Sequence, residues 1–197
     1  MSLAPVPDGQ LATIVTYLEM LAPPPDGPFP ESSLALVPRP DPSPEQYRTL
    51  FRKVGGRWLW FSRLALDDIE LAAAIGELHA VVDAAGAEVG MIELDFRVAG
   101  ECELAFIGLV PHLSGKGHGR WLLAEAVSLA WRDGIARVHV HTCTLDHPAA
   151  LGAYRRAGFT AIRREIETFP DPRLTGLLPA DCAPQMPLIG SAPANCA

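Results

Sequence analysis

The sequence predicts an α+β protein built on a mixed sheet, and three observations carry this prediction. The hydrophobic patterns follow the order helix, helix, three strands, helix, strand, helix, strand. The three consecutive strand patterns, at residues 79–83, 88–98 and 101–110, are joined by short turns, which favours an antiparallel meander. In addition, 49% of the 197 residues are apolar, which is enough for one domain with a substantial core.

The predicted helices begin and end at recognisable signals. Ser43 and Pro44 open the first helix, and the pair Gly55-Gly56 closes it. The helix after the meander carries its polar residues on one narrow stripe, so most of its surface should be buried against the sheet. The predicted helices span residues 43–56, 67–78, 117–133 and 148–157, and the last two strands span residues 137–142 and 159–168.

Proline is concentrated near both ends of the chain. This distribution predicts a proline-rich N-terminal arm at residues 1–42, a compact domain at 43–168 and a proline-rich C-terminal arm at 169–197. The β-branched and aromatic residues at 13–20 predict an extra strand within the first arm. Exchange of such arms between subunits is one route to a homodimer.

The charge and the cysteine content narrow the class of partner. Sixteen basic and 23 acidic residues give a net charge of -7, which disfavours nucleic acid and anionic membranes and suits a cationic substrate. The chain has no apolar stretch of about 18 residues and no pattern typical of a secretion signal, so we expect a soluble cytoplasmic protein. Its four cysteines form no C-x-x-C pair, and we expect reduced thiols.

A glycine-rich segment between the third meander strand and the buried helix is the strongest chemical signal. Residues 109–120 read LVPHLSGKGHGR, with glycines at three alternate positions. These glycines expose backbone N–H groups at the positive end of a helix dipole, an arrangement that binds pyrophosphate. The spacing differs from the dinucleotide fingerprint G-x-G-x-x-G, and Lys116 is not followed by the Ser or Thr of a P-loop. A turn that merely tightens the connection is the alternative.

This segment resembles motif A of the GNAT superfamily of N-acetyltransferases, in which a strand ending in Val-Pro is followed by [QR]-x-x-G-x-G/A and a helix. The second signature of the family follows at the expected distance, as DHPAALGAYRRAGF at residues 146–159. The resemblance covers residues 44–167 and implies a mostly antiparallel twisted sheet flanked by helices on both faces. It also implies transfer of an acetyl group from acetyl-CoA to a primary amine, by direct attack in a ternary complex and without a metal.

Two positions depart from the family pattern at the implied cofactor site. Ser114 replaces the usual Gln or Arg, and His147 replaces the common Asn. Losing one such donor weakens binding by about 1 to 3 kcal/mol unless Lys116 or Arg120 compensates. A second hypothesis therefore stays open, a CoA-binding sensor or interaction module with little transfer activity. The implied cofactor contacts are Leu109, Val110, Ser114, Gly115, Lys116, Gly117, His118, Gly119, Arg120, His147 and Tyr154.

The resemblance also implies catalytic roles for two side chains. Glu103 occupies the strand position of the glutamate base in several GNAT enzymes, and the alternative is a solvated strand residue. Tyr154 occupies the position of the tyrosine that protonates the departing thiolate, and the alternative is ring packing alone. The thioester carbonyl should bind the backbone N–H of Leu109 or Val110, because Pro111 has none.

Three further residues are predicted to bind the substrate. Trp58 and Trp60, between the first two helices, form an aromatic wall that would attract a cationic amine by about 0.5 to 2 kcal/mol, whereas burial in the core is the alternative. Glu101 is a second carboxylate on the strand of Glu103 and the reserve candidate for the base. We expect the acceptor to be a small-molecule amine or the amine of a protein or peptide.

Three side chains on one strand resemble a metal site at first sight. His139, His141 and Cys143 alternate along the sequence and share one face of the predicted strand. On a strand they lie along a line of about 13 to 14 Å, which is too long for a single ion. We therefore predict no metal, and we expect the histidines to face a substrate cleft or to pack beneath helices.

Overall fold

The computed structural model describes residues 3–25 and 27–190 of the chain. Within these residues the chain forms seven strands and four α-helices. The strands are β1 (Gln10–Met20), β2 (Ala35–Arg39), β3 (Glu77–Val82), β4 (Glu88–Asp95), β5 (Glu101–Leu109), β6 (Arg137–Cys143) and β7 (Thr160–Pro170). The helices are α1 (Pro44–Gly55), α2 (Asp68–Ala74), α3 (His118–Ala130) and α4 (Ala150–Arg156). In this described part, no helix is long and apolar enough to cross a membrane.

The seven strands form one sheet in the order β2-β3-β4-β5-β6-β1-β7. β5 and β6 are parallel, and the other neighbouring strands are antiparallel. The predicted antiparallel meander is confirmed as β3-β4-β5. α1 packs on one face, where Phe51 meets Phe106 edge to face with ring centroids 4.8 Å apart, and α3 packs on the other face. The α+β class, with a mostly antiparallel sheet flanked by helices on both faces, is confirmed.

The strand predicted near the N-terminus is an interior strand of the sheet. β1 pairs with β6 on one side and with β7 on the other. Val15 and Leu18 are 5% and 0% exposed, so β1 belongs to the core although prolines surround it in the sequence. β2 is an edge strand that the sequence analysis did not predict. Pro38 interrupts its pattern, and an edge strand tolerates a proline because one row of its N–H groups has no partner strand.

The described part of the C-terminal arm also lies against the fold. Asp171 and Arg173 form an ion pair of 2.6 Å that is almost fully buried. Leu178 and Ala183 are 3% and 0% exposed, so this segment adds side chains to the core. Both predicted arms thus contribute to the fold, whereas the domain boundaries at residues 42 and 168 stay a prediction. Positions 1, 2, 26 and 191–197 of the arms lie outside the described residues.

α2 is shorter than the sequence predicts. It ends at Ala74, whereas the predicted helix continued to residue 78. The reason lies at Gly76, where a Cβ atom would stand 2.2 Å from the carbonyl oxygen of Leu94. The close approach of these two backbones starts the pairing of β3 with β4, so the chain leaves the helix before Gly76.

The buried helix after the glycine-rich segment is confirmed as α3. It ends at Ala130 instead of residue 133, because Trp131 takes an extended conformation with φ -82° and ψ 105°. The indole N–H of Trp131 points at the sulfur of Met20 on β1, at 3.4 Å. The buried side chains of α3 are Trp121, Leu122, Leu123, Ala126, Val127 and Ala130.

A buried polar network joins α1 to the sheet. Glu93 on β4 is 0% exposed and accepts hydrogen bonds from the Tyr47 hydroxyl, from Arg63 (2.8 Å) and from the N–H of Gly76 (3.2 Å). Burial raises the pKa of Tyr47, and the charge of Glu93 raises it further, so the hydroxyl remains a donor. The guanidinium carbon of Arg63 also lies 5.3 Å from the ring centroid of Phe106, so the network contacts that ring.

Leu18→Ala should destabilise the protein strongly, because Leu18 is fully buried in β1. We expect the free energy of unfolding in urea to fall by about 2 to 5 kcal/mol. Leu3→Ala, at a side chain that is 95% exposed, is the matched control, and there we expect a change below about 0.5 kcal/mol. Small and equal effects of the two substitutions would mean that β1 is not part of the cooperative core.

Candidate active site

The parallel pairing of β5 with β6 is short. In the part of the chain that the structure describes, it consists of the pairs Glu101–Arg137, Cys102–Val138 and Glu103–His139. Beyond Glu103, β5 continues beside β4 as far as Leu109, while β6 continues beside β1. The two strands therefore diverge, and a cleft of about 1730 Å³ opens between them and runs past α3 and α4.

The end of β5 presents backbone groups to this cleft. The N–H of Val110 donates to the carbonyl oxygen of Val89 at 2.9 Å, so it faces β4. Backbone groups alternate in direction along a strand, and Leu109 therefore directs its N–H and C=O away from β4, toward the cleft. Of the two donors predicted for a thioester carbonyl, Leu109 is the one available. Val110 is 2% exposed, and its N–H is already bonded within the sheet.

The glycine-rich segment ends in a helix start that is open to a ligand. Gly115 and Gly117 have φ angles of 77° and 89°, and a Cβ atom on either, or on Gly119, would meet nothing within 4 Å. Gly117 is the N-cap of α3 and makes no side-chain capping bond, and no acidic side chain occupies the first turn. The first N–H groups of α3 therefore point into open space at the positive end of the helix, which fits a pyrophosphate.

Two arginines supply positive charge to the cleft. Arg120 on α3 and Arg156 on α4 both line the cleft, as does Ser114. Their guanidinium groups offer the charged donors that Ser114 lacks relative to the family pattern. Lys116, within the glycine-rich segment, is exposed. The predicted contact His118 instead places its Nδ1 2.9 Å from the hydroxyl oxygen of Ser32, so it is turned toward the N-terminal segment.

The proline-rich segment after β1 forms one side of the cleft. Pro23, Pro28 and Phe29 are among its lining residues, together with Ser128 and Trp131 of the α3 region. The segment thus follows α3 from its C-terminal end to Ser32 at its N-terminal end. The sequence does not indicate this role, because an irregular proline-rich segment carries no pattern that shows what it packs against.

Tyr154 lies on α4 at the cleft and is 8% exposed. Its ring meets Phe159 edge to face, with centroids 5.9 Å apart. Burial raises the pKa of its hydroxyl, and the negative charge of Asp146 raises it further. The phenol therefore stays protonated near neutral pH and is suited to donate a proton or a hydrogen bond. Tyr154 therefore packs its ring on Phe159 and also lines the cleft.

His147 makes the local hydrogen bond that an Asn side chain would make at the start of this helix. Its Nδ1 accepts from the backbone N–H of Ala149 at 3.1 Å. Its ring meets Trp58 with centroids 5.1 Å apart. The departure from the family pattern at position 147 is thus accommodated within the turn, and the imidazole also supports the aromatic wall.

Glu103 is paired with His141, which the sequence did not single out as catalytic. Oε1 of Glu103 lies 3.1 Å from Nδ1 of His141, and it is the imidazole that lines the cleft. The hydrogen bond with His141 lowers the pKa of Glu103. The same bond raises the pKa of His141, and the charges of Asp146 and Glu167 act in the same direction. The ring of Tyr17 flanks the imidazole at 5.9 Å.

The other carboxylate of β5 lies away from the cleft. Glu101, predicted as a substrate contact, accepts from Arg137 at 2.8 Å and lies 3.5 Å from Nε2 of His139. It is not among the residues that line the cleft. The histidines of β6 thus pair with the carboxylates of β5. In the described residues, no three His, Cys, Asp or Glu side chains are grouped so as to hold a metal ion.

Aromatic side chains also line the cleft. Trp60 packs on Phe106 with centroids 5.2 Å apart, and its indole N–H donates to Asp146 at 3.2 Å. Leu59 between the two tryptophans takes a left-handed conformation (φ 59°), which turns the chain sharply at this point. Trp58 and Trp60 both line the cleft, as do Phe61 and Phe169, which stack on each other. Trp60 therefore both lines the cleft and packs in the core.

Comparison with known proteins shows which family and which fold this chain shares. The acetyltransferase (GNAT) family model matches residues 40–159. A GCN5-related N-acetyltransferase from Sphaerobacter thermophilus shares 19% identity at a TM-score of 0.56, over 83% of this chain and 52% of that one. A GNAT-family acetyltransferase, described as putative, from Novosphingobium aromaticivorans shares 16% identity at 0.54, over 84% and 68% of the chains. An IAA acetyltransferase from Bacillus cereus shares 22% identity at 0.51, over 66% and 79%.

These likenesses differ in what they establish. The structures show a shared fold, and this chain spans about half the length of the Sphaerobacter protein, 52%. No curated protein sequence matches the chain. The family model, in contrast, matches more than half of the chain, and its range includes both the glycine-rich segment and the second signature. The chain therefore belongs to the GNAT family of acetyltransferases.

Proposed function

We propose that this protein transfers an acetyl group from acetyl-CoA to a primary amine, by direct attack in a ternary complex. The observation that carries the proposal is the cleft between the diverging ends of β5 and β6. A backbone donor at Leu109, an uncapped helix start, the hydroxyl-bearing Tyr154 and the His141–Glu103 pair all border this one opening. An acyl transfer needs an oxyanion donor, an anion site, an acid and a base.

The cofactor half of the cleft suits an acyl-CoA. The N–H groups at the start of α3 would bind the pyrophosphate, with Arg120 and Arg156 adding positive charge. Leu109 would donate its N–H to the thioester carbonyl and stabilise the charge that develops on that oxygen. Acetyl-CoA, when bound, supplies the thioester that an amine can attack. No residue with metal chemistry is required for this arrangement.

His141 is the base in this proposal, and Glu103 is the residue that orients it. A carboxylate only accepts hydrogen bonds, so Nδ1 of His141 carries the proton toward Glu103 and Nε2 keeps a lone pair. An amine with a pKa of about 10 is mostly protonated at neutral pH, so a neighbouring acceptor must take its proton before attack. Glu103 was the base predicted from sequence, and it acts here through His141.

Tyr154 is the acid in this proposal. Its raised pKa keeps the hydroxyl protonated, so it donates a hydrogen bond to the departing thiolate and stabilises the charge that develops on the sulfur. The amine itself would lie against the aromatic wall of Trp58, Trp60 and Phe106, with Glu167 at the edge of the cleft. This combination favours an amine whose charged ammonium group is attached to an apolar group. Each cation–π contact attracts the ammonium by about 0.5 to 2 kcal/mol.

Release of free CoA from acetyl-CoA in the presence of phenethylamine tests the proposed reaction, with mass spectrometry to identify the amide. We expect the acetylated amine as product and weaker CoA binding in Gly117→Ala, because the left-handed conformation there costs a side chain about 1 to 2 kcal/mol. Gly86→Ala, which carries the same strain (φ 79°) in a remote turn, is the matched control and should bind CoA normally. CoA binding with no product from any amine class would support the sensor hypothesis instead.

The pH dependence of kcat/KM should show an acidic limb that belongs to His141. Protonated His141 cannot accept a proton, so activity is lost as the pH falls through its raised pKa. Glu103→Gln keeps an acceptor for Nδ1 but removes the negative charge that helps to raise this pKa, so the limb should move to lower pH together with a reduced rate. A limb that persists in His141→Gln but disappears in Glu103→Gln would assign the base to Glu103 itself.

Tyr154→Phe should lower kcat by about 10² to 10⁴ while leaving the Kd of CoA nearly unchanged. The phenyl ring retains the packing on Phe159, so the substitution removes the proton donor alone. Calorimetric titration of CoA together with steady-state kinetics separates the two quantities. An unchanged kcat would remove Tyr154 as the acid.

A further inference from the structure

The last strand of the sheet is exposed on both of its faces. β7 pairs with β1 along one edge, yet every side chain from Thr160 to Thr168 is exposed. Ile162 and Ile166 are 48% and 78% exposed, and Ile14 of β1, directly opposite Ile166, is 46% exposed. A cluster of exposed aliphatic side chains on a sheet face indicates an interaction surface.

The outer edge of β7 also presents a row of backbone groups. The N–H of Asp171 donates to the carbonyl oxygen of Gly9 at 2.9 Å. The backbone N–H and C=O groups of odd-numbered residues of β7 therefore point toward β1, and those of even-numbered residues point away from the sheet. This alternation is regular from Arg164 to Thr168. β7 is the outermost strand of the sheet in the described residues, so these outward groups meet no further strand. An open edge of this length is a template for another strand.

The order of charges along β7 indicates which strand fits this edge. Arg163 and Arg164 precede Glu165 and Glu167, so the first half of the strand is basic and the second half is acidic. When a second copy runs antiparallel, the basic half of each strand lies against the acidic half of the other. Ile162 directly precedes this stretch and Ile166 lies within it, between the two glutamates, and antiparallel pairing about Arg164 sets Ile162 of one copy opposite Ile166 of the other. A parallel arrangement would oppose like charges.

We propose that a second copy of this chain pairs antiparallel with β7 along its free edge, about a two-fold axis at Arg164, so that Arg163 of each copy lies opposite Glu165 of the other. The sheet then continues from one copy into the other, and Ile166 of each copy lies opposite Ile162 of the other. The interface lies on β7 and requires no exchange of the proline-rich segments. Glu167 and Phe169 of the same strand line the cleft, so the pairing also fixes one wall of the candidate active site.

Sedimentation velocity of the full chain over a range of concentrations tests this proposal. We expect a concentration-dependent dimer whose association is weakened by about tenfold or more in Ile166→Lys. Arg164→Pro removes an outward N–H while leaving the bonds to β1, and it should weaken the dimer similarly. Ile69→Lys is the matched control, because Ile69 is 83% exposed on α2, and it should dimerise like the unchanged chain.

Charge reversal provides a second arm of the test that leaves the isoleucines in place. Arg163→Glu opposes acidic side chains and should weaken the dimer, whereas the combined Arg163→Glu, Glu165→Arg and Glu167→Arg restores opposite charges and should restore association. Circular dichroism and Tm check that each variant is folded, and the charge variants decide if Ile166→Lys does not fold. A chain that stays monomeric at all concentrations, or a dimer that no β7 variant weakens, overturns the proposal.

Discussion

The parallel ladder between β5 and β6 ends after Glu103 and His139, and the position of the site depends on that early end. Beyond it, backbone groups of β5 that would otherwise bond a neighbouring strand face a cleft instead. Leu109 thereby directs a donor into the opening, and residues 110–117 lead from there to the start of α3. The same ladder sets Glu103 beside His141, so the end of pairing positions both the anion site and the proton acceptor.

The sheet remains one body at this break because β1 holds β6 in place. β1 pairs with β6 from Val15 to Met20 and with β7 along nearly its whole length. The strand that stabilises the cleft therefore comes from the proline-rich N-terminal region, far away in sequence. On the other strand of the break, β5 is closely packed at Gly108, where a Cβ atom would lie 2.8 Å from Val54 of α1 and 3.2 Å from Trp60. Pairing with β1 thus stabilises the position of β6, and packing against α1 and Trp60 stabilises that of β5.

Local patterns in the sequence were sufficient for the meander, for α3 and for the glycine-rich segment, because periodicity and helix signals are properties of neighbouring residues. The pairing of His141 with Glu103 was beyond them, since it depends on the register of two strands that are joined through α3. The interior place of β1 likewise depends on contacts between opposite ends of the chain. Gly76 ended α2 early through a backbone contact with Leu94, which no helix signal contains.

Amide chemical shifts measured during a CoA titration test whether the opening between β5 and α3 is an acyl-CoA site. We expect large shifts for the amides of Leu109, His118 and Gly119, which face the opening. We expect a much smaller shift for Val110, whose N–H is bonded to Val89. Shifts confined to another surface of the protein, or no shifts at saturating CoA, would show that this opening does not bind CoA.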